Sequence, residues 1–449
     1  MTTTATRYAI TTLGCKVNQY DSAIIESRLA ARGMERCAFD EPADVYIVNT
    51  CTITDRADSE SLQLARRARR LNPDARVVMT GCFAQANPAA LARAAEVDAV
   101  VGLGRLDDLE RAVAGEAHQR VAVSNLRKER AEIELRPVAE SGRTRAFLKV
   151  QEGCDQFCTF CIVPFSRGTS RSVEPRRIFA ALDEMNERGF REVTLTGVHL
   201  GGYGRDLEPA FSLEELLEMI VERSPIGRVR ISSLDPEELS DRIIATVADG
   251  MVFCPHLHLP LQSGHDGTLM RMRRRYRSAE FRDRVERAVM AMPDIAIGTD
   301  LIAGFPGETA SDFNDYFKFV EQLPLAYFHV FPYSVRAGTT AAKFTGRVAP
   351  DEIRRRSAIL RQLGEEKKRR FAERFRGRQL KVLIEERDKG GRLAGYSRNY
   401  IRVAADEPHE SLNGKELLNH EVVVEVSRVE NAALAGRIVS SGAAAGPAI

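Results

Sequence analysis

Phe147-Leu148-Lys149-Val150-Gln151-Glu152-Gly153-Cys154-Asp155-Gln156-Phe157-Cys158-Thr159-Phe160-Cys161 is a short β-type run that opens into a loop holding three cysteines. Three and then two residues separate the cysteines, and an aromatic residue precedes the last. A 4Fe-4S cluster takes one thiolate per iron, so three ligands leave one iron open to a substrate or cofactor. Zinc is the competing reading, but zinc sites usually pair two C-x2-C units to reach four ligands. No second unit is present in the chain.

Downstream, six strand-like runs follow one another: Phe147 to Val150, Glu192 to Thr196, Val229 to Ser232, His256 to Leu261, Ile295 to Ile302 and Tyr327 to Phe331. Helical stretches such as Arg176 to Arg188, Ser212 to Arg223 and Ala279 to Ala291 lie between them. Six β/α units predict an open (β/α)6 partial barrel over residues 146–376, with its chemistry at the carboxyl ends of the strands. The loop after the first strand, which carries Cys154, Cys158 and Cys161, is at that face.

Upstream, Tyr8 to Leu13, Val45 to Val48, Arg76 to Met79 and Val97 to Val101 read as strands, separated by amphipathic runs such as Asp21 to Arg32 and Ser59 to Arg70. This alternation predicts a Rossmann-like parallel α/β domain over residues 5–127. Three of its strands lead into a cysteine, at Gly14-Cys15, Asn49-Thr50-Cys51 and Gly81-Cys82. Ligands of parallel sheets bind outside the carboxyl ends of the strands, so Cys15, Cys51 and Cys82 are expected to converge into a second three-cysteine site. Residues 128–145 carry many charges and a proline and read as a linker.

After the barrel, residues 351–376 hold ten Lys or Arg against five Asp or Glu. A solvated helix bridging two domains and an RNA contact are both compatible with that charge. Short β runs at Gln379 to Glu386, Arg392 to Val403 and Glu421 to Val426 predict a small antiparallel β-barrel over residues 377–440. Residues 441–449 form a small-residue tail and are expected to be disordered.

Composition sets outer bounds. With 449 residues, 44% hydrophobic and 29% charged, the chain is expected to form several soluble domains. A net charge of +2 means that any nucleic-acid footprint must come from local clustering. There is no secretory signal pattern and no apolar run long enough to span a membrane, so a cytoplasmic setting is expected. Eight cysteines in a reducing compartment favour metal ligation over disulfides, with Cys37 and Cys254 left over as buried free thiols. His256 and His258 share a strand face but lack a third ligand, so they suggest no additional metal.

The Cys154, Cys158, Cys161 spacing resembles the signature of radical S-adenosylmethionine enzymes. Together with Cys15, Cys51 and Cys82 and the trailing barrel, it resembles the methylthiotransferase family over residues 7 to 440. Gly14-Cys15-Lys16-Val17-Asn18-Gln19-Tyr20-Asp21-Ser22 is similar to the branch acting on threonylcarbamoyladenosine in tRNA. The isopentenyladenosine branch usually carries Gln-Met at the Lys16-Val17 positions, and a ribosomal-protein branch Pro-Lys. Further matches are Val48 to Thr54, Gly197-Val198-His199-Leu200-Gly201, Leu259 to Gly264 and Gly304 to Thr309, with Phe83 and His265 as small departures.

The resemblance implies two 4Fe-4S clusters. One, on Cys154, Cys158 and Cys161, reductively cleaves S-adenosylmethionine into methionine and a 5'-deoxyadenosyl radical. The other, on Cys15, Cys51 and Cys82, carries the sulfur that is methylated and transferred to carbon 2 of the adenine. Gly197 and Val198 are expected at the methionine moiety, and Ser232, Ser233 and Asp235 near the ribose or carboxylate, Asp235 also being a helix-cap candidate. The terminal barrel resembles a TRAM domain at Gly395 to Tyr400, which implies RNA contacts from Tyr396, Arg398 and Tyr400. The implied partners are tRNA, a one-electron donor of the flavodoxin or ferredoxin type and a sulfur source. The alternatives are the other two substrate branches and, outside enzymes, an iron-sulfur RNA-binding regulator.

Overall fold

Val45-Tyr46-Ile47-Val48-Asn49-Thr50 is buried at every position, which only a strand covered on both faces can be. In the computed structural model, which describes residues 6–129, 132–136, 144–406 and 417–441, it is the third strand of an all-parallel sheet. That sheet contains β1 (Arg7–Thr12), β2 (Glu35–Arg36), β3 (Val45–Thr50), β4 (Arg76–Gly81), β5 (Ala99–Val101) and β6 (Val121–Ala122), in the order β2-β1-β3-β4-β5-β6. Alternate residues feed two cores. Val45 and Ile47 pack with Ile25, Leu29 and Leu109; Tyr46 and Val48 pack with Ala65, Ala68 and Val77. The chain order reverses between β1 and β3, and this switch point is where open α/β sheets form a crevice. The two-residue edge strands β2 and β6 escaped the sequence reading because they are too short to show a pattern.

The second domain contains β7 (Arg145–Lys149), a small antiparallel pair β8 (Gln151–Glu152) and β9 (Arg171–Ser172), then β10 (Glu192–Thr196), β11 (Val229–Ile231), β12 (His256–His258), β13 (Ala296–Ala303) and β14 (Tyr327–Pro332). The parallel groups β11-β10-β7 and β12-β13-β14 are joined by bridges Val229 to Phe253 and Ser233 to His258. The result is a six-stranded barrel, open between β7 and β14. Ala146, Leu148 and Val150 belong to the large core beneath the outer helices, which turns Arg145, Phe147 and Lys149 to the other side of the strand.

The expected linker is partly structured: Ile133 joins the barrel core, the Tyr20 hydroxyl accepts from the Arg136 amide at 3.2 Å, and Arg145 already belongs to β7.

The third domain closes as β15 (Gln379–Arg387), β16 (Leu393–Ser397), β17 (Arg402–Asp406), β19 (Ala433–Ser441) and β18 (Glu421–Glu430). It is not wholly antiparallel, because β17 and β19 run parallel. A ring with an odd number of strands cannot alternate direction all the way round. The expected run Arg392 to Val403 is divided by a turn in which Tyr400 has φ 66°, and β19 is an addition to the expected strands. Of the expected tail, Ser441 ends β19, and the remainder lies outside the described residues.

The barrels meet over a buried charge cluster. Glu192 accepts from Arg228 at 2.8 Å and from Arg230 at 2.7 Å, with all three side chains at most 3% exposed. Arg228 also pairs with Glu421 and donates to the Tyr396 carbonyl at 3.1 Å; Arg230 donates to the carbonyls of Ser397 and Arg398 at 3.0 and 2.7 Å. Despite the opposing cost of desolvation, the two guanidiniums hold the Glu192 carboxyl down at about 2.

Glu192→Gln leaves the buried Arg230 without a carboxylate and Arg228 with Glu421 alone, and is expected to cost about 3 kcal/mol. A pKa depressed in the folded state contributes stability that is complete above the unfolded value and is lost as pH falls towards about 2. Thermal melts of wild type and variant should therefore differ at pH 7 and converge in acid.

The charged helix Pro350–Glu373 bridges the two barrels. Arg356 is buried against Glu308 at 2.6 Å. Lys367 donates to the carbonyls of Glu321 and Leu323 at 2.9 and 2.7 Å, and burial lowers its pKa to about 8. Part of its basic character is thus spent within the fold.

Candidate active site

Cys15, Cys51 and Cys82 follow β1, β3 and β4 at the switch point of the first sheet. Gly14 and Gly81, which precede two of them, have φ of 96° and 92°, a backbone region that glycine enters without strain. A Cβ on Gly14 would sit 2.8 Å from the Cys51 sulfur, so the two loops approach as closely as glycine permits. Asn18 ties them together, donating through Nδ2 to the carbonyls of Leu13 and Thr50 at 2.7 and 3.0 Å. The Thr50 hydroxyl accepts from the amides of Phe83 and Ala84 at 3.1 and 3.2 Å, fixing the turn after Cys82. Cys51 and Cys82 are buried and Cys15 is exposed. Burial pushes the Cys82 thiol up to about 12, against the opposing pull of Arg167.

Cys154, Cys158 and Cys161 lie in the loop between β8 and β9. Gly153 enters it at φ 78°, and a Cβ there would lie 2.0 Å from the Thr169 carbonyl oxygen. The Cys154 sulfur accepts from the Gln156 amide at 3.5 Å, and the Cys158 sulfur from Arg274 Nη1 at 3.3 Å. Arg274 also pairs with Asp235 and donates to the Tyr276 hydroxyl at 3.1 Å. Burial raises the thiols of Cys154, to about 12, and Cys161.

The two triplets are physically connected. Arg167, 2% exposed, donates through Nε to the Cys82 sulfur at 3.2 Å, through Nη1 to Glu152 at 2.7 Å and through Nη2 to Asp21 at 3.0 Å and Asn18. Lys149 completes the network on Asp21 and Glu152 at 2.6 and 2.8 Å. The carbonyl of the next residue, Gly168, accepts from the Cys154 amide at 3.0 Å. One dipeptide thus touches a cysteine of each set. Arg336 adds a second clamp between the domains, on Asp58 at 2.8 Å and the Thr52 carbonyl at 3.2 Å.

Residues 148–320 match the radical SAM superfamily, and residues 7–102 match an uncharacterised family, UPF0004. Over 407 residues the chain is 38% identical to the threonylcarbamoyladenosine tRNA methylthiotransferase MtaB of Bacillus subtilis, covering 88% of this chain and 89% of the relative. This chain belongs to the radical S-adenosylmethionine tRNA methylthiotransferases. A tRNA-2-methylthio-N(6)-dimethylallyladenosine synthase of Desulfitobacterium hafniense is 32% identical, with 86% of this chain and 88% of the relative covered. The radical S-adenosylmethionine methyltransferase TsrM of Kitasatospora setae, solved with cobalamin and a [4Fe-4S] cluster, shares the fold with a TM-score of 0.55 at 14% identity, covering 73% and 75% of the two chains.

The methylthiotransferase uses S-adenosylmethionine and 4Fe-4S clusters, and its donor sets fit them. Each triplet offers three soft sulfur ligands, with an arginine positioned to favour the thiolate form that ligation needs. Gly197 lies against Gln151, whose Oε1 accepts from the His199 amide at 2.7 Å and whose Nε2 donates to the Gly153 carbonyl at 2.8 Å. The half-buried Gly197 and Val198 are therefore tied to the cysteine loop. At the end of β11 the Ser232 hydroxyl is buried without a hydrogen-bond partner, as a group awaiting a ligand would be, while Ser233 is exposed.

Other expectations are revised. Asp235 makes no side-chain cap hydrogen bond, and one of its carboxylate oxygens is taken by Arg274. Arg398 donates to the carbonyls of Gly227, Met251 and Val252 at 3.0, 3.2 and 3.3 Å, and the Tyr400 ring stands 4.7 Å from His256 and 4.8 Å from Arg230. Tyr396 stacks on Tyr400 at 5.1 Å with Arg145 over its face at 4.6 Å. These half-buried residues help to dock the third domain onto the barrel. Arg167, Arg274 and Gln151 were missed: no short-range pattern marks them, since the partners of Arg167 at Asn18, Asp21 and Cys82 lie 149, 146 and 85 residues away.

Proposed function

We propose that this enzyme transfers a methylthio group to carbon 2 of N6-threonylcarbamoyladenosine in tRNA, with one cluster on Cys154, Cys158 and Cys161 and the other on Cys15, Cys51 and Cys82. The observation that carries the reading is the pair of cysteine triplets joined through Arg167 and Gly168. Clusters held there would supply one-electron chemistry on S-adenosylmethionine at the barrel and a holding place for sulfur at the sheet. That chemistry answers a C–H bond too strong and too weakly acidic for side-chain acid-base catalysis.

The protein's own residues bind and orient. Gly197 and Val198 offer backbone at the methionine moiety, where the small Gly197 allows close approach. Ser232 offers its unpartnered hydroxyl to the ribose or carboxylate. Arg274 and Arg167 place positive charge on sulfurs that become anionic when they bind iron. Among the described residues no helix is long and apolar enough to cross a membrane. A cytoplasmic setting, a flavodoxin- or ferredoxin-type electron donor and a separate sulfur source complete the reading.

Nucleoside mass spectrometry of tRNA from a deletion strain and its complemented parent tests it. Loss and return of the methylthio form of threonylcarbamoyladenosine is expected. Loss confined to methylthio-dimethylallyladenosine would overturn the substrate assignment.

A further inference from the structure

Between the first sheet and the open barrel stands a cation without an acceptor. Lys16 follows Cys15 and begins the helix Lys16–Ala31, and its ammonium reaches β7, 5.9 Å from the centre of the Phe147 ring. It is in electrostatic range of Arg145, Glu192, Arg230 and Tyr400, and likewise of His256. The neighbouring charges are matched: Arg145 pairs with Glu385 at 2.9 Å and Arg230 with Glu192 at 2.7 Å. Lys16 has no hydrogen-bond or ion-pair partner among the described residues. Close by, His256 is 4% exposed and leaves Nδ1 unpartnered while Nε2 meets the Tyr327 hydroxyl at 2.7 Å. An unmatched ammonium and an orphaned buried ring nitrogen together describe a polar site that a ligand completes.

We propose that Lys16 is a specificity-determining residue that binds the carboxylate of the substrate's N6-threonylcarbamoyl group, an inference that rests on the substrate reading above. Carbon 2 and the N6 nitrogen belong to the same edge of the adenine, separated by N1 and C6. A base whose carbon 2 approaches sulfur held at the Cys15, Cys51 and Cys82 site must therefore carry its N6 substituent only a few atoms away. Lys16 is one residue from Cys15, about 3.8 Å along the backbone, and its flexible stem sweeps that space. A dimethylallyl group has neither charge nor acceptor there, so it would leave the ammonium desolvated and unpaired, which discriminates against it.

The test uses the reconstituted full-length protein and anticodon stem-loop RNAs whose target adenosine bears the threonylcarbamoyl group, its methyl ester or a dimethylallyl group, with affinity read by fluorescence anisotropy. Wild type should bind the acid about 10- to 100-fold more tightly than the ester. Lys16→Met should erase that preference and Lys16→Arg should keep most of it. A Lys16→Met protein that retains the full preference for acid over ester would overturn the inference, as would a wild type that never had it. Tighter wild-type binding of the dimethylallyl RNA than of the acid would instead overturn the substrate reading.

Discussion

Arg167→Met is expected to strip the first sheet of its iron while the barrel keeps its own. The side chain holds the Cys82 sulfur, Glu152, Asp21 and Asn18 together in a buried setting. Removing the cation leaves Glu152 and Asp21 to share Lys149, a loss of about 3 to 5 kcal/mol for a buried pair deprived of a partner. It also removes the positive charge beside a sulfur that must be anionic to bind iron. Iron and acid-labile sulfide should fall by about half on anaerobic reconstitution. Arg167→Lys keeps the charge but loses the fork that reaches several partners at once, so its iron content should be intermediate, with the residual sheet cluster at a lower reduction potential than in wild type. Full iron content in Arg167→Met would show that the contact with Cys82 is incidental.

Gly153→Ala is expected to do the converse. Its φ of 78° and a would-be Cβ 2.0 Å from the Thr169 carbonyl oxygen leave no room for a methyl group without moving the paired strands β8 and β9. The left-handed backbone alone costs about 1 to 2 kcal/mol with a side chain present, and the collision adds to it. The loop carrying Cys154, Cys158 and Cys161 should lose its geometry, and 5'-deoxyadenosine formation from S-adenosylmethionine should fall to background. The first sheet, whose cysteines lie elsewhere, should retain its iron. Near-normal 5'-deoxyadenosine formation would contradict the tight entry into the loop.

Cys15, Cys51, Cys82 and Cys154 could be placed because each follows a strand, and strands show in sequence as compact apolar runs. Glycine at Gly14, Gly81 and Gly153 was part of the same local pattern, and the structure gives it a reason in positive φ. What joins the triplets was not legible. Arg167 sits in a short connection, and nothing near it in sequence foretells a sulfur 85 positions earlier.

The third domain shows contacts that composition alone does not reveal. Tyr396, Arg398 and Tyr400 have a composition suited to stacking on bases, but rings and guanidiniums serve equally well on His256 and on the carbonyls of Gly227 and Met251. Composition names the interaction, not the partner. The strand Ala433–Ser441 was hidden because Asn431-Ala432, both at positive φ, makes the tight turn without the Asn-Gly pair that usually signals one.

Iron and sulfide analysis of the reconstituted chain, alongside a Cys15, Cys51 and Cys82 triple alanine variant, measures the central claim most directly. Two cubane clusters predict about eight of each per wild-type chain, and about four in the variant, which should still form 5'-deoxyadenosine but no longer methylthiolate tRNA. About four in both proteins would contradict a second cluster on the first sheet.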